Sequence, residues 1–167
     1  MQWTDSGIVL GARRHGETSL ILELMTARHG RHLGLVRGGR SKRLAPVLQP
    51  GNSVTATWSA RIEDQLGYFA VEGDVLRTGA LIASGPALYA LGYAASLLRF
   101  LPERDAQEGL HDALAVLIDH LDAPQVAAPL VIRFEVAILS ALGFGLDLSA
   151  CAATGVRDDL AYVSPKT

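Results

Sequence analysis

Apolar and polar residues alternate strictly over Ser53–Ala60, with Val54, Ala56 and Trp58 on one face and Thr55, Thr57 and Ser59 on the other. A period of two with β-branched residues marks a half-buried strand. Four more runs read as strands: Gly7–Leu10, Ser19–Thr26, His32–Val36 and Tyr68–Glu72. Between them, Arg28-His29-Gly30-Arg31, Gly38-Gly39 and Pro50-Gly51 carry turn chemistry. Past Ala80 the period changes. Leu88, Leu91, Ala95, Leu98 and Leu101 recur at helical spacing, and Ser84 and Pro86 stand where a cap and a first-turn proline belong. This spacing predicts a helix over 87–101. A second is expected from Ala106 to Leu121, with Leu110, Leu114, Leu117 and Leu121 on one face. A third is expected from Pro129 to Leu142, stopping at Gly143, with Asp122-Ala123-Pro124 as the break before it.

Strands followed by helices put the chain in the α+β class. Five short strands separated by turns predict a small closed barrel. The five-stranded OB-fold, which binds oligonucleotides on one face, fits this pattern, and so do other small barrels. The switch near residue 80 divides the chain into a barrel domain over 1–80 and an all-helical domain over 81–167. No internal repeat, heptad seam or low-complexity tract interrupts this division.

Composition narrows the function classes. A hydrophobic fraction of 49% beside 19% charged residues supports a packed core and excludes a disordered chain. Cys151 is the single cysteine, so an internal disulfide is excluded. Met1–Asp5 lacks the basic and apolar regions of a secretory leader. The apolar stretch Ala87–Leu101 is shorter than the roughly 20 residues of a membrane span and contains Arg99. A cytoplasmic protein without membrane contact is the expectation.

The net charge of −2 conceals an asymmetry. Residues 1–80 hold ten Lys/Arg against seven Asp/Glu, whereas residues 81–167 hold five against ten. From Arg13 to Arg43 there are eight cations and only Glu17 and Glu23 as anions. The densest part is Val36-Arg37-Gly38-Gly39-Arg40-Ser41-Lys42-Arg43, directly after a strand. A glycine-containing turn with four cations suits a polyanion, because its cations displace counterions from phosphates. A solvated basic loop is the alternative. On the polyanion reading Arg37, Arg40, Lys42 and Arg43 are the principal contacts, and Arg13, Arg14 and Arg31 are secondary. Tyr68 and Phe69 are adjacent in a strand, so one faces in and the other out. Tyr68 is the candidate to stack on unpaired bases. Trp58, on the apolar face of its strand, belongs to the core.

Other chemistry finds little support. His15, His29, His32, His111 and His120 do not assemble the three or four converging ligands that zinc requires. No nucleophile elbow, Walker loop or His-Glu-x-x-His is present. The carboxylates of the helical half are scattered, so no acid/base pair stands out and an enzyme is not expected. Arg133 interrupts an almost wholly apolar run, Leu130–Leu139. It either pairs with a nearby carboxylate or serves as an anion clamp for an acidic peptide with apolar ends.

Several motifs resemble one family. Gly7-Ile8-Val9-Leu10, Gly16-Glu17-Thr18-Ser19-Leu20-Ile21-Leu22, and Arg37-Gly38-Gly39-Arg40-Ser41-Lys42-Arg43 with Leu48-Gln49-Pro50 are similar to the N-terminal domain of the RecO family. Arg133-Phe134-Glu135 and Leu142-Gly143-Phe144-Gly145, followed by Asp147-Leu148 and Cys151, resemble its helical domain. The resemblance covers nearly the whole chain. It implies an OB-fold followed by helices, in a recombination mediator of DNA repair rather than an enzyme. Such a protein binds single- and double-stranded DNA, anneals complementary strands, and acts with RecR to help load RecA onto DNA coated by single-stranded DNA-binding protein (SSB). The resemblance also implies a cytoplasmic, nucleoid-associated location and a contact with the acidic, apolar-ended C-terminal tail of SSB. Arg133 lies in the motif matched to that contact. Two departures matter. Some members carry a zinc module beginning Cys-x-x-Cys, but here Thr154 follows Cys151 at that spacing, so no such site is expected. The resemblance would also continue past Thr167, so the helical domain reads as truncated.

Overall fold

The computed structural model describes residues 1–145, 149–151 and 153–158. The strands are β1 (Gln2–His15), β2 (Ser19–Thr26), β3 (Gly30–Val36), β4 (Ser53–Ser59) and β5 (Tyr68–Val75). The helices are α1 (Thr78–Ile82), α2 (Gly85–Leu98), α3 (Leu110–Asp119) and α4 (Pro124–Ala141). The sheet closes into a barrel in the order β1-β2-β3-β5-β4, with β1 also pairing β4. All neighbours are antiparallel except β3 and β5, whose parallel pairing rests on Leu35 opposite Tyr68. This is the five-stranded OB-fold architecture, with the helices added after it, and the class is α+β.

β1 is longer than the apolar run Gly7–Leu10 suggests. Its polar ends are held by partners distant in sequence: Trp3 sits opposite Trp58, and Arg14 opposite Leu20. A bulge between Val9 and Gly11 shifts the register. Before the bulge, even-numbered residues such as Ile8 face outward and Val9 faces the barrel interior. After it, Arg13 lies on the outer face and Ala12 pairs with the inward Leu22. An extra residue at a bulge reverses side-chain parity in this way.

Two apolar cores result. The barrel interior holds Val9, Leu22, Leu24, Val36, Trp58 and Phe69, capped by Leu48 from the β3–β4 connection. The second lies outside the barrel, where Ile8, Leu10 and Met25 meet Leu98, Leu101, Leu114 and Phe134. Burial of the outer face of β1 and β2 therefore joins the helices to the barrel.

Helix bounds follow local backbone chemistry. Ser84 Oγ accepts from the Ala87 amide at 3.3 Å, with Pro86 in the first turn, so α2 begins where its cap residues require. The helix expected from Ala106 begins only at Leu110, because Gly109 takes φ +78° and interrupts it. Leu110, Leu114, Leu117 and Leu121 are nevertheless buried together. The third helix does not begin at Pro129. It begins at Pro124, in the first turn where a missing N–H is harmless, and Pro129 lies inside it. α4 is thus the longest helix among the described residues, and its 18 residues with a mean hydropathy of 1.3 are long and apolar enough to cross a membrane by length and composition. Phe134 and Ile138 are nonetheless buried in the core with α2 and α3 residues.

His32 is 2% exposed and sits edge-on to Trp3, Trp58 and Phe69. Burial lowers its pKa to about 4, helped by the charges of Arg104 and His29 and opposed by its Nδ1–H bond to the Leu33 carbonyl. The folded pKa lies below the unfolded value of 6.5. Stability from this residue is therefore complete above pH 6.5 and is lost as pH falls toward 4, by on the order of 3 kcal/mol. Urea unfolding at pH 7 and pH 4.5 should show this loss in the parent and a much smaller one in His32→Leu. Equal pH dependence in both proteins would refute the assignment.

Candidate nucleic-acid interface

The connection from β3 to β4, residues 37–52, carries the principal basic cluster. Gly38 takes φ +64°, a conformation that turns the chain sharply off β3. Ser41 Oγ then accepts from the Leu44 amide at 3.3 Å, and Ala45 and Leu48 donate to the carbonyls four residues back. These helical turns press Leu44, Val47 and Leu48 onto the barrel core. The apolar half of the connection is thereby fixed, and its cations are left on the solvent side.

Arg37, Arg40, Lys42 and Arg43 are all exposed. The Arg37 guanidinium lies 4.2 Å from the centroid of the Tyr68 ring, a cation–π contact. Tyr68 is 43% exposed while Phe69 is 4% exposed and in the core, the in-and-out arrangement expected of adjacent strand residues. Arg40 donates to the Glu17 carbonyl, and its amide donates to the Thr18 carbonyl at 3.2 Å. These two bonds tie the basic connection to the β1–β2 turn, next to exposed Arg13 and Arg14. Among the described residues, the side chains of Lys42 and Arg43 have no hydrogen-bonded or ion-paired partner. Their charge remains available to a ligand.

Arg31 must be removed from the open surface. Its side chain is 12% exposed and its Nη1 lies 2.9 Å from Glu23 Oε1, with further bonds to the Leu101 carbonyl. Arg99, which caps the C-terminus of α2, meets the other Glu23 oxygen at 2.8 Å. Glu23 thus joins a strand arginine to a helix-end arginine across the contact between barrel and helices. Burial of this face draws Arg31 into an internal pair, which strand periodicity alone could not reveal. Arg28 is also engaged: its backbone and side chain both bond Asp5, as does His29 Nδ1 at 3.0 Å. Burial pushes the Asp5 carboxyl up, but the bonds from His29 and Arg28 outweigh it and hold the carboxyl below its ordinary range. Two of the eight cations between Arg13 and Arg43, Arg28 and Arg31, are therefore paired with carboxylates of the same chain.

Arg133 is exposed on α4 beside Ile132, which is 60% exposed. Among the described residues no carboxylate is within ion-pair range of it. The neighbouring Glu135 instead accepts from Tyr93 Oη at 2.5 Å. Asp147 and Leu148, part of the helical-domain motif, lie outside the described residues.

Asn52 was not visible as a key residue in the sequence. It is fully buried. Its Nδ2 donates to the carbonyls of Pro46 and Val47, and its Oδ1 accepts from the amides of Arg77 and Thr78 and from Thr78 Oγ1. One side chain thereby fastens the basic connection to the segment entering the helices.

Comparisons with known proteins agree with this architecture. A family model described as recombination protein O N terminal matches residues 1–73, and one described as recombination protein O C terminal matches residues 83–167. The DNA repair protein RecO of Methylobacterium nodulans is 63% identical over all 167 residues, which cover 68% of that protein. The DNA repair proteins RecO of Methylorubrum populi and of a Chelativorans species are 59% and 62% identical over the whole chain, which covers 68% and 67% of them. A five-stranded barrel, a helical continuation and matches to both family models lead to one conclusion: the chain belongs to the RecO family of DNA repair proteins.

Proposed function

We propose that this chain is a recombination mediator that binds single- and double-stranded DNA through the cations of its β3–β4 connection. The observation that carries this reading is the placement of Arg37, Arg40, Lys42 and Arg43 on one exposed connection whose apolar half is anchored in the barrel. Arg13 and Arg14 extend the basic surface along the adjoining hairpin. Residues 1–80 form the nucleic-acid-binding domain, and the helices from residue 81 serve as its support and as a partner surface. The contacts go to the phosphate backbone, so little sequence preference follows. Neutralising the backbones of two strands at once favours their annealing. With RecR, the same protein helps load RecA onto SSB-coated DNA, in the cytoplasm and in association with the nucleoid. This role requires no bond-making step.

Strand annealing tests the reading. Complementary oligonucleotides carrying donor and acceptor dyes should pair faster with the chain present, and the acceleration should disappear when Arg40, Lys42 and Arg43 are all alanine. Pairing at the uncatalysed rate with the parent chain would contradict it.

A second activity rests on a separate observation. Arg133 is exposed, lacks a carboxylate partner among the described residues and adjoins exposed Ile132. That combination suits the acidic, apolar-ended tail of SSB. Arg133→Ala should weaken binding of a labelled tail peptide by tenfold or so, the loss of one charge-assisted contact of about 1.5 kcal/mol, and should leave DNA affinity intact. Unchanged peptide affinity would exclude Arg133 from the contact.

A further inference from the structure

The β3–β5 seam is the weakest join in the barrel, with one register pair, Leu35 opposite Tyr68. Two clefts open along it and meet at Leu35, Ser59 and Tyr68. The first, of about 590 Å³, runs under the β4–β5 loop past Ala60, Leu66 and Gly67 to Arg61. The second, of about 640 Å³, runs from Tyr68 to Arg37 and Arg43. The floor is apolar or small, the ring of Tyr68 stands at the junction, and a cation lies at each end. Among the described lining residues, Glu72 is the one carboxylate.

The wall of the first cleft is held in place. Gly67 takes φ +65°, and a Cβ there would come within 2.4 Å of Trp58 Nε1. Trp58 Nε1 donates to the Leu66 carbonyl at 3.0 Å, and the Leu35 amide donates to the Gly67 carbonyl at 3.0 Å. The remaining support comes from the connection between α2 and α3. Arg104 donates to the Glu63 carbonyl and, at 2.6 Å, to the Gln65 carbonyl. Its own amide bonds the Arg31 carbonyl at 2.8 Å, where Glu103 bridges the part of β3 that β5 leaves free. One arginine from the helical part therefore clamps the loop that walls the cleft.

We propose that this paired cleft is a subsite for the unpaired bases of a single strand, with Tyr68 as the stacking platform, Arg61 and Arg37/Arg43 meeting phosphates at its two ends, and Arg104 as a positioning residue that sets its shape. The chemistry is that of single-strand recognition, in which an aromatic ring within a cationic groove accepts any base face. Arg37 already covers one face of the Tyr68 ring, so a base takes the other. A duplex keeps its bases stacked inside and cannot use this subsite. The helical part thus adjusts the single-strand preference of the barrel without touching the strand. This proposal rests on the reading of the chain as a DNA-binding protein and adds to Tyr68, Arg37 and Arg43 the cleft around them, Arg61 and the Arg104 clamp.

The test compares Tyr68→Ala, Tyr68→Phe and Arg104→Ala with the parent chain on a single-stranded oligonucleotide containing 2-aminopurine and on a duplex of the same length. Tyr68→Ala should lose between about fivefold and a hundredfold in single-strand affinity, the range for removal of one stacked base. It should also lose the fluorescence change of the 2-aminopurine while duplex affinity and salt dependence stay unchanged. Tyr68→Phe should retain single-strand affinity. Arg104→Ala should lower single-strand affinity with duplex affinity kept, and Arg104→Lys should restore part of it. If Tyr68→Ala binds the single strand as the parent does, the subsite is refuted while the basic connection stands. Equal losses on single strand and duplex would refute it too. If the parent chain binds neither DNA at low salt, the DNA-binding reading beneath the proposal falls with it.

Discussion

Replacing Asn52 with leucine should destabilise the protein by about 3–5 kcal/mol, the largest single-site effect expected. Leucine fills the buried volume but has no polar atoms. The carbonyls of Pro46 and Val47 and the amides of Arg77 and Thr78 then lose the partner they share. Each buried polar group left unpaired costs about 1–3 kcal/mol, and water reaching some of them keeps the sum below the simple total. Asn52→Asp is the sharper variant, because it keeps the acceptor for Arg77 and Thr78 but aims a second oxygen at two carbonyls. Both variants should lower the midpoint of urea unfolding, and both should increase protease cleavage within residues 37–51. A loss below about 1 kcal/mol in both would mean that the connection is held by Leu48 and its apolar neighbours alone.

The legible parts of this molecule are those whose signal is local. The alternation over Ser53–Ser59 and the spacing of Leu110, Leu114 and Leu117 both reflect one buried face, and both faces are buried as read. Ser84 and Pro86 likewise mark the start of α2 through bonds within one turn. The departures depend on contacts between distant segments. The ends of β1 are polar, and only pairing with β2 and β4 makes them strand. Pro129 looked like a helix start because its missing N–H is cheapest there, but Pro124 already occupies that position and packing of Phe134 and Ile138 carries the helix through. The basic connection was readable as an eight-residue composition. The internal commitment of Arg31 was not, since its partners Glu23 and Leu101 lie on a different strand and after α2. Arg104 gave no signal at all, because its role lies in two backbone carbonyls of a loop about forty residues earlier.

Substituting Arg40, Lys42 and Arg43 together by alanine should have the largest effect on binding. Each phosphate neutralised on a single strand contributes about −0.7 to the slope of log affinity against log salt concentration. Loss of three contacts should flatten that slope by about 2 and weaken binding most at low salt. All three side chains are exposed, and Lys42 and Arg43 make no internal bonds among the described residues, so the fold should survive. Arg40 also anchors the β1–β2 turn through Glu17. A Lys42→Ala, Arg43→Ala double variant, with Arg40 kept, should therefore flatten the slope by about 1.4.

The most direct measurement is fluorescence anisotropy of a labelled single-stranded oligonucleotide titrated with the parent chain and the triple variant across a salt series. The account predicts steeply salt-dependent binding by the parent and a slope shallower by about 2 in the variant. Identical slopes for the two proteins, or no binding by the parent at low salt, would contradict the assignment of the β3–β4 connection as the DNA contact.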